Sequence, residues 1–455
     1  MKARTLLAFL FLAVPVLAAP PEVTPSYDLR LRWETFETPL SSSRLDPTYD
    51  LYLLRFRAGL DLGWERWKLH GMLQASGVTN IPVNGAFAAG PTYFAANGGR
   101  RDVGVIGLAE LYGAYEHDGL KLVLGRQPYV DGMEVQTGVA HLDAVKRRRL
   151  SDRLVGISEW PNTGRRFDGI SGGYGGESTH IAFFGLRPLG GAFESHDEAL
   201  DEIDGVTVYG ATVTGRHGQW IPGTEVRLFT VQYEDDRLAS PELSINTSGT
   251  SFLIGNSTSN LLLWGALQTG DWASEDQEAW AFLVDLGRRF DDAPGKPDIH
   301  LAWEQSSGDT GPDDTKHETF FNVLPTNHKF YGSMDYLAFM NLRDAYVEAL
   351  FGIGPKLKVR TAFHDFALTE TTDIWYGGSG AYEEGSFGYA GRSIDRPYPS
   401  KDLGQELDLE LTWPLPSGFE LGIGGGQWWS GGAADNFFSL DQQGRWGYVQ
   451  LGWKR

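Results

Sequence analysis

The chain has 455 residues, 41% of them hydrophobic, and a net charge of -20. This acidity argues against a nucleic-acid partner, because phosphates need a basic face. The absence of Cys excludes disulfides, thiolate metal sites and a Cys nucleophile. Beyond the N-terminus, no uncharged apolar run approaches the roughly 20 residues of a membrane helix. The 58 Gly and 15 Trp favour turns, strands and membrane interfaces.

The N-terminus has the pattern of an export signal. Lys2 and Arg4 form a basic start, and an apolar stretch follows from Leu6 to Leu17. Ala18 ends this stretch with a small residue, which suits cleavage after it. A membrane anchor is the alternative, but the stretch is short for a span. We therefore predict a signal peptide at 1–18 and a single exported domain at 19–455.

From residue 26 onwards, apolar and charged residues alternate in many segments. From Tyr27 to Glu34 every odd residue is apolar and every even residue is charged. The segments 52–64, 357–364 and 406–413 repeat the pattern. A strand places successive side chains on opposite faces, so each strand has one apolar and one ionic face. The apolar rows predict these outward-facing residues: Leu29, Leu31, Leu54, Phe56, Leu409 and Leu411.

Two features favour a membrane barrel over a soluble β-sandwich. The apolar rows end in aromatic residues, as the interface girdles of outer-membrane barrels do. These residues are Trp33, Trp64, Trp67, Trp413 and Trp453. The polar rows are heavily charged over many strands, which suits a water-filled lumen. We predict an all-β fold, a transmembrane antiparallel β-barrel in the outer membrane of a Gram-negative type of cell.

The strand count follows from the direction of the chain. Seventeen strands can be identified directly. If both termini are periplasmic, the strand that ends near 234 and the strand at 259–270 both run outward, which is impossible for consecutive strands. A further strand across Ser248–Ile254, with a turn at 255–257, removes this conflict and gives 18, an even number as in bacterial single-chain barrels. A barrel of this size leaves an aqueous channel. Short turns are predicted on the periplasmic side, and long connections at 78–104, 127–163, 187–204, 235–258, 271–278, 306–341, 367–401 and 430–443.

Arginine is concentrated on the predicted inner face. Arg30, Arg32, Arg55, Arg57 and Arg360 all fall on polar rows. The planar guanidinium matches a carboxylate with two parallel hydrogen bonds, so these residues favour an anionic, carboxylate-bearing solute. The alternative is that they pair with acids of the same rows across neighbouring strands. Those acids are Asp28, Glu34, Asp61, Glu110, Glu348, Glu406 and Asp408.

The segment 147–169 has the highest local density of Arg. It contains Arg147-Arg148-Arg149 and Arg165-Arg166 between two predicted strands. We expect either a loop that folds into the pore and narrows it, or a solvated extracellular loop.

An ordered set of short motifs resembles the alginate export family of outer-membrane barrels. The motifs are Gly125-Arg126-Gln127, Arg153-Leu154-Val155-Gly156, the run from Asn162 to Gly169, the run from His328 to Gly332, Met334-Asp335-Tyr336, Leu342-Arg343-Asp344, Phe363-His364-Asp365-Phe366 and the run from Leu403 to Asp408. Their order and spacing extend over nearly the whole mature chain. One departure is the end of the chain, where Lys454 and Arg455 follow Trp453 in place of a terminal aromatic residue.

The resemblance implies a function and a constriction. It implies an 18-stranded monomeric barrel with an electropositive constriction that passes an anionic polyuronate outward. On that basis Arg126, Arg153, Arg166 and Asp168 lie at or near the constriction. The implied partners are outer-membrane lipid, an anionic polysaccharide or small anions, and periplasmic export proteins.

The sequence predicts no enzyme, no cofactor and no metal site. His141 with Asp143 and His364 with Asp365 are too close in sequence to force a catalytic triad, since adjacent strand residues point to opposite faces. No Cys-x-x-Cys-His haem motif is present, and about seven residues before the first strand leave no room for a plug domain. Two further functions remain open: a general diffusion porin, and a sheath barrel around a periplasmic partner.

Overall fold

Eighteen antiparallel strands close into one barrel. The computed structural model describes residues 20–176, 178–196, 199–216, 223–237, 242–311, 314–378, 389–392, 396–438 and 442–455. The predicted signal peptide at 1–18 therefore lies outside the described residues. The barrel strands are β1 Glu22–Glu37, β2 Thr48–Gly63, β3 Trp67–Thr79, β4 Val103–His117, β5 Leu120–Gln127, β6 Phe167–Gly175, β7 Thr179–Pro188, β8 Val206–Arg216, β9 Thr224–Asp235, β10 Leu243–Gly255, β11 Ser259–Trp272, β12 Glu275–Arg289, β13 Asp298–Ser306, β14 Leu342–Ile353, β15 Leu357–Leu368, β16 Asp402–Pro414, β17 Phe419–Ser430 and β18 Gln443–Lys454.

Each strand pairs with the next along the chain, and β1 pairs with β18 to close the barrel. The sheet has 19 strands when the two-residue segment Lys316–His317 beside β12 is included, and 18 without it. The predicted fold class is therefore confirmed. We call the end where β1 begins and β18 ends the terminal end, and the opposite end the loop end.

The predicted eighteenth strand is present and longer than expected. β10 covers Leu243–Gly255 and pairs with β9 and β11 over this whole length. Because β10 begins at Leu243 and not at Ser248, most of the segment 243–258, which was predicted as part of a long connection at 235–258, is strand. The predicted connection at 271–278 is also wrong, because β11 and β12 continue to Trp272 and Glu275 and leave two residues between them. β10 shows no clear alternation of apolar and polar residues, because Ser, Thr and Asn occupy both of its faces.

The two faces of the strands are those predicted. Leu31, Leu54, Phe56 and Leu409 point outward with 38–49% of their surface exposed. Leu29 and Leu411, which share those faces, are half-buried. Arg30, Arg32, Arg55 and Arg57 lie on the inner face and are at most 7% exposed. The outer face is therefore the apolar one, as lipid contact requires.

Leu409 lies near the middle of β16 and offers a test of lipid contact. We expect Leu409→Arg to destabilise the barrel by roughly 2–4 kcal/mol, the cost of a cation at the bilayer midplane. Leu415→Arg, in the exposed turn after β16, is the matched control and should cost only ~0–1 kcal/mol. Folding yields in lipid vesicles measure both, and equal yields would contradict the assignment of the outer face.

Helices occur in the connections. They are α1 Ala89–Ala96, α2 Ala140–Arg149 and α3 Gly432–Phe437. Single 3₁₀ turns lie at Asn327–Lys329 and Pro416–Gly418, and a small hairpin joins Trp375–Gly378 to Tyr389–Arg392. Within the described ranges, every helix is too short or too polar to cross a bilayer.

Two long connections at the loop end fold into the barrel and supply much of its buried core. They are 128–166, which contains α2, and the described residues 307–311 and 314–341; we call them the first and second inward loops. Leu154 and Val155 of the first loop and Leu324 of the second are at most 2% exposed. Val155 and Leu324 form an isolated parallel β-bridge. The Leu324 amide donates to the Leu154 carbonyl at 2.8 Å. The prediction that 147–169 narrows the pore is supported over a solvated extracellular loop.

Candidate functional site in the barrel lumen

Helix α2 crosses the lumen and reaches the terminal end of the barrel. Lys146 binds Glu225 at 2.6 Å, and the His141 ring lies 3.2 Å from the amide oxygen of Asn260. Both partners are second residues of strands that begin at the terminal end, β9 and β11. The first inward loop therefore enters at the loop end and extends through the full depth of the barrel.

The end of α2 is held by buried ion pairs. Arg149 binds Asp285 of β12 at 3.0 Å and Glu348 of β14 at 2.6 Å. Arg153 binds Glu304 of β13 at 2.7 Å, and its side chain is 1% exposed. Arg153 was predicted to line the constriction; instead it lies between loop and wall. Its charge anchors the first inward loop and is hidden from a solute.

The arginines of β1 and β2 hold the tip of the same loop, residues 159–163. Arg30 donates to the carbonyl of Glu159 at 2.8 Å and to that of Pro161 at 3.1 Å. Arg32 donates to the carbonyl of Trp160 at 2.8 Å. These inner-face arginines were expected to face a solute. They are buried because the loop tip covers them, and the backbone carbonyls of the tip accept their hydrogen bonds.

The Glu159 carboxylate is the centre of a cationic cluster. It lies 2.7 Å from Arg55, 2.9 Å from Arg57 and 2.8 Å from Arg166. Arg166 also binds Glu110 of β4 at 2.7 Å. Burial raises the pKa of Glu159, but the neighbouring Arg55, Arg57 and Arg166 outweigh it and hold the pKa well below 4.5. Glu159 is therefore ionised throughout the physiological range.

A cleft of about 270 Å³ remains between the inward loops and the wall. Its lining residues are Arg148, Arg149, Trp160, Thr326, His328, Lys329, Glu348, Arg360 and Glu410. Four of these are basic residues and two are carboxylates, so basic side chains outnumber acidic ones in the lining. The side chains of Arg148, Lys329 and Arg360 are 23–25% exposed. These three cations are therefore accessible from the cleft.

The cations of the cleft are also paired with acids. Arg360 binds Glu348 and Glu410, each at 2.6 Å. Lys329 binds Asp152 at 3.0 Å; burial lowers its pKa and Asp152 opposes this shift. In the part of the chain that the structure describes, no group of three or more acidic or His side chains is placed to hold a metal ion.

Of the predicted site residues, Arg360 is the one that lines the cleft. Arg148, Arg149 and Lys329 were not predicted as lining residues. The signal for the first two was the run Arg147-Arg148-Arg149 in a segment expected to enter the pore. Lys329 lies in a loop far away in sequence, and local pattern carries no sign of its position.

The expectation that Arg126 and Asp168 lie at the constriction is corrected. They bind each other at 2.9 Å, but strand alternation places Arg126 on the outer face with Leu124, and Asp168 with Ile170. β5 is short, so the part of β4 before Leu111 pairs with β3 on one side but not with β5 on the other. Arg126 donates to the Leu108 carbonyl of that part at 3.0 Å. Arg126 therefore satisfies a backbone carbonyl of the barrel wall.

Comparison with known proteins identifies related barrels. Residues 144–446 match the family model described as Alginate export. No curated protein sequence matches the chain. Among solved structures, Pseudomonas aeruginosa OccK9 (OpdG) has a TM-score of 0.60 and 10% identity over 95% of this chain and 98% of that chain. P. aeruginosa OpdO has a TM-score of 0.57 and 12% identity, covering 95% and 97%. P. aeruginosa OpdK, solved with vanillate, has a TM-score of 0.56 and 11% identity, covering 95% and 98%. At these identities the likeness shows the fold alone.

Proposed function

The chain belongs to the alginate export family of outer-membrane barrels, and from this premise we propose that its lumen passes an anionic, carboxylate-bearing solute. An alginate-like polyuronate or another acidic saccharide fits this class, and the family suggests the outward direction. In the proposed path the solute crosses the cleft between the inward loops and strands β14 to β16.

The cationic lining of the cleft is the observation that carries the proposal. Arg148, Lys329 and Arg360 surround it with their side chains about one-quarter exposed. Guanidinium groups bind carboxylates through two parallel hydrogen bonds, and a lysine ammonium adds a point charge. OpdK, a barrel of the same fold, was crystallised with vanillate, which is itself a carboxylate.

The overall charge of -20 does not oppose an anionic solute. At physiological ionic strength the Debye length is about 8 Å, so charges on distant loops are screened from the cleft. Selectivity then depends on the side chains at the narrowest point, as in anion pores with Arg or Lys rings. The local excess of cations therefore matters more than the net charge.

A general diffusion porin for small solutes is the second candidate. The observation in its favour is that Arg360 already binds two carboxylates, Glu348 and Glu410. Such pairing weakens the field that a solute meets, which suits low selectivity.

A sheath barrel around a periplasmic protein has less support. The two inward loops occupy the interior, and helix α2 extends to the terminal end, where Lys146 binds Glu225. A partner would have to displace the ion pairs of Arg149 and Arg153, which are buried. Breaking buried pairs of this kind costs about 3–5 kcal/mol each.

The reversal potential under a KCl gradient tests the proposal. We expect the purified wild-type protein in a planar bilayer to prefer chloride. Replacing Arg148, Lys329 and Arg360 by Ala, singly and then together, should reduce this preference stepwise, because each replacement removes one exposed cation from the cleft.

Arg126→Ala is the matched control, since Arg126 lies on the outer face and its removal should leave the reversal potential unchanged. A wild-type channel that prefers potassium, or a triple variant with the selectivity of the wild type, would favour the general porin.

A further inference from the structure

Three guanidinium groups converge on the single carboxylate of Glu159. Arg55 and Arg57 come from the wall strand β2, and Arg166 from the residue just before β6. All three bind at 2.7–2.9 Å. Arg30 lies beside them and donates to the backbone carbonyl of Glu159 at 2.8 Å. This arrangement of guanidinium groups suits a carboxylate, because a guanidinium group can donate two parallel hydrogen bonds to its two oxygens.

The carboxylate of this site is more accessible than the cations that bind it. The Glu159 side chain is 32% exposed, whereas those of Arg55, Arg57 and Arg166 are 5–8% exposed. Gly164 borders the site with φ +74°, and a Cβ there would lie 3.2 Å from Glu159 Oε1. The backbone therefore passes close to the carboxylate without a side chain to cover it.

A cavity at the terminal end borders one residue of the same cluster, Arg57. It has a volume of about 430 Å³, and Asp28, Arg57, Met72 and Lys454 are among its lining residues. Arg57 thus borders the cavity on one side and binds Glu159 on the other. The terminal end is the periplasmic end on the predicted topology, so in the proposed path a solute that enters there meets Arg57 first.

The charges of the cluster favour replacement of the Glu159 carboxylate by another carboxylate over its departure alone. Four guanidinium groups, those of Arg30, Arg55, Arg57 and Arg166, face the carboxylates of Glu159 and Glu110, and Asp28 lies 4.0 Å from Arg55. If Glu159 turned away alone, buried cations would lose their partner, which is strongly unfavourable. A second carboxylate that takes its place restores the pairing. The loop tip itself stays held, because Arg30 and Arg32 bind its backbone carbonyls.

We propose that the Glu159 carboxylate occupies the position that a carboxylate of the solute takes during passage. A solute carboxylate displaces the Glu159 side chain, binds Arg55, Arg57 and Arg166, and is expelled when Glu159 returns. The cluster is then a selective carboxylate site on the path from the terminal end to the cleft, and Glu159 keeps binding there weak enough for release. This inference rests on the proposed passage of an anionic solute.

Inhibition of chloride current by glucuronate, with neutral glucose as the matched sugar, tests the exchange. Glu159→Gln keeps the volume of the side chain and removes its charge, so glucuronate should bind better. We expect half-inhibition at a glucuronate concentration about tenfold lower than for the wild type, which corresponds to 1.4 kcal/mol. Glucose should inhibit neither protein. Adding Arg57→Gln to the Glu159→Gln variant should abolish the gain.

Glu278→Gln is the control for a change of charge alone. Glu278 is an exposed carboxylate paired with Lys316 outside the cluster, and its removal should leave glucuronate inhibition at the wild-type value. If Glu159→Gln fails to fold, Glu159→Asp withdraws the carboxylate by one methylene and should give a smaller shift in the same direction.

The outcomes separate this inference from the proposed function. A chloride-preferring wild type whose glucuronate inhibition is unchanged in Glu159→Gln overturns the exchange and leaves the proposed function intact. Equal inhibition by glucose and glucuronate also overturns it, since the site would not recognise a carboxylate. A wild-type channel that prefers potassium counts against the proposed function itself.

Discussion

Replacing residues 128–166 by a short Asn-Gly turn is expected to raise the single-channel conductance severalfold. The first inward loop fills the lumen from the loop end to the terminal end, and an 18-stranded barrel without it has a wide aqueous interior. Gln127 and Phe167 are directly opposite each other in β5 and β6, so a tight hairpin turn can join them. Conductance in planar bilayers measures the effect.

The matched control shortens a connection that stays at the loop end. Glu37 of β1 and Thr48 of β2 are also opposite each other, and the same turn can replace 38–47. Its conductance should be close to that of the wild type. If the replacement of 128–166 leaves conductance unchanged, the second inward loop must set the narrowest part of the channel.

Arg149→Ala is expected to release α2 from the wall. Arg149 is 2% exposed and binds both Asp285 and Glu348, and its removal leaves two buried carboxylates without this partner. Loss of one member of a buried ion pair costs about 3–5 kcal/mol. We expect the barrel to fold, because its strand pairing is intact, while the first inward loop becomes mobile and the open-channel current fluctuates.

Trypsin provides a second measurement, since a released loop exposes the peptide bonds after Arg147 and Arg148. Arg147→Ala is the control: Arg147 belongs to the same helix but is exposed, so its removal should leave current and protease resistance unchanged. Equal behaviour of the two variants would show that the ion pairs of Arg149 do not hold α2.

The barrel was predictable because its determinants are local and repeated. Alternation from Tyr27 to Glu34 defines the two faces of β1 without reference to any other strand, since the period of a strand is two residues. The eighteenth strand followed from parity, which needs only the direction of the chain. β10 shows the limit of this reasoning: Asn, Ser and Thr on both faces removed the alternation and shortened the predicted strand.

The position of a charge relative to the lumen depended on more than strand pattern. Arg126 was assigned to the constriction through resemblance, although Leu122 and Leu124 share its face. The pattern of β5 itself places Arg126 outside. Applying the alternation rule to this short strand would have found the error.

The sequence by itself determined the barrel: 18 strands, their directions and which residues face lipid, because alternation and chain direction act within each strand. The tertiary structure alone decided which cations are exposed in the lumen. Arg30, Arg32, Arg55 and Arg57 face inward as predicted, yet the tip of a loop more than 100 residues away covers them, while Arg148, Lys329 and Arg360 remain exposed in the cleft. The contacts between loop and wall join segments that are far apart in sequence, and the local pattern of one segment does not indicate its contacts with the other. They form only when the loops dock inside the closed barrel.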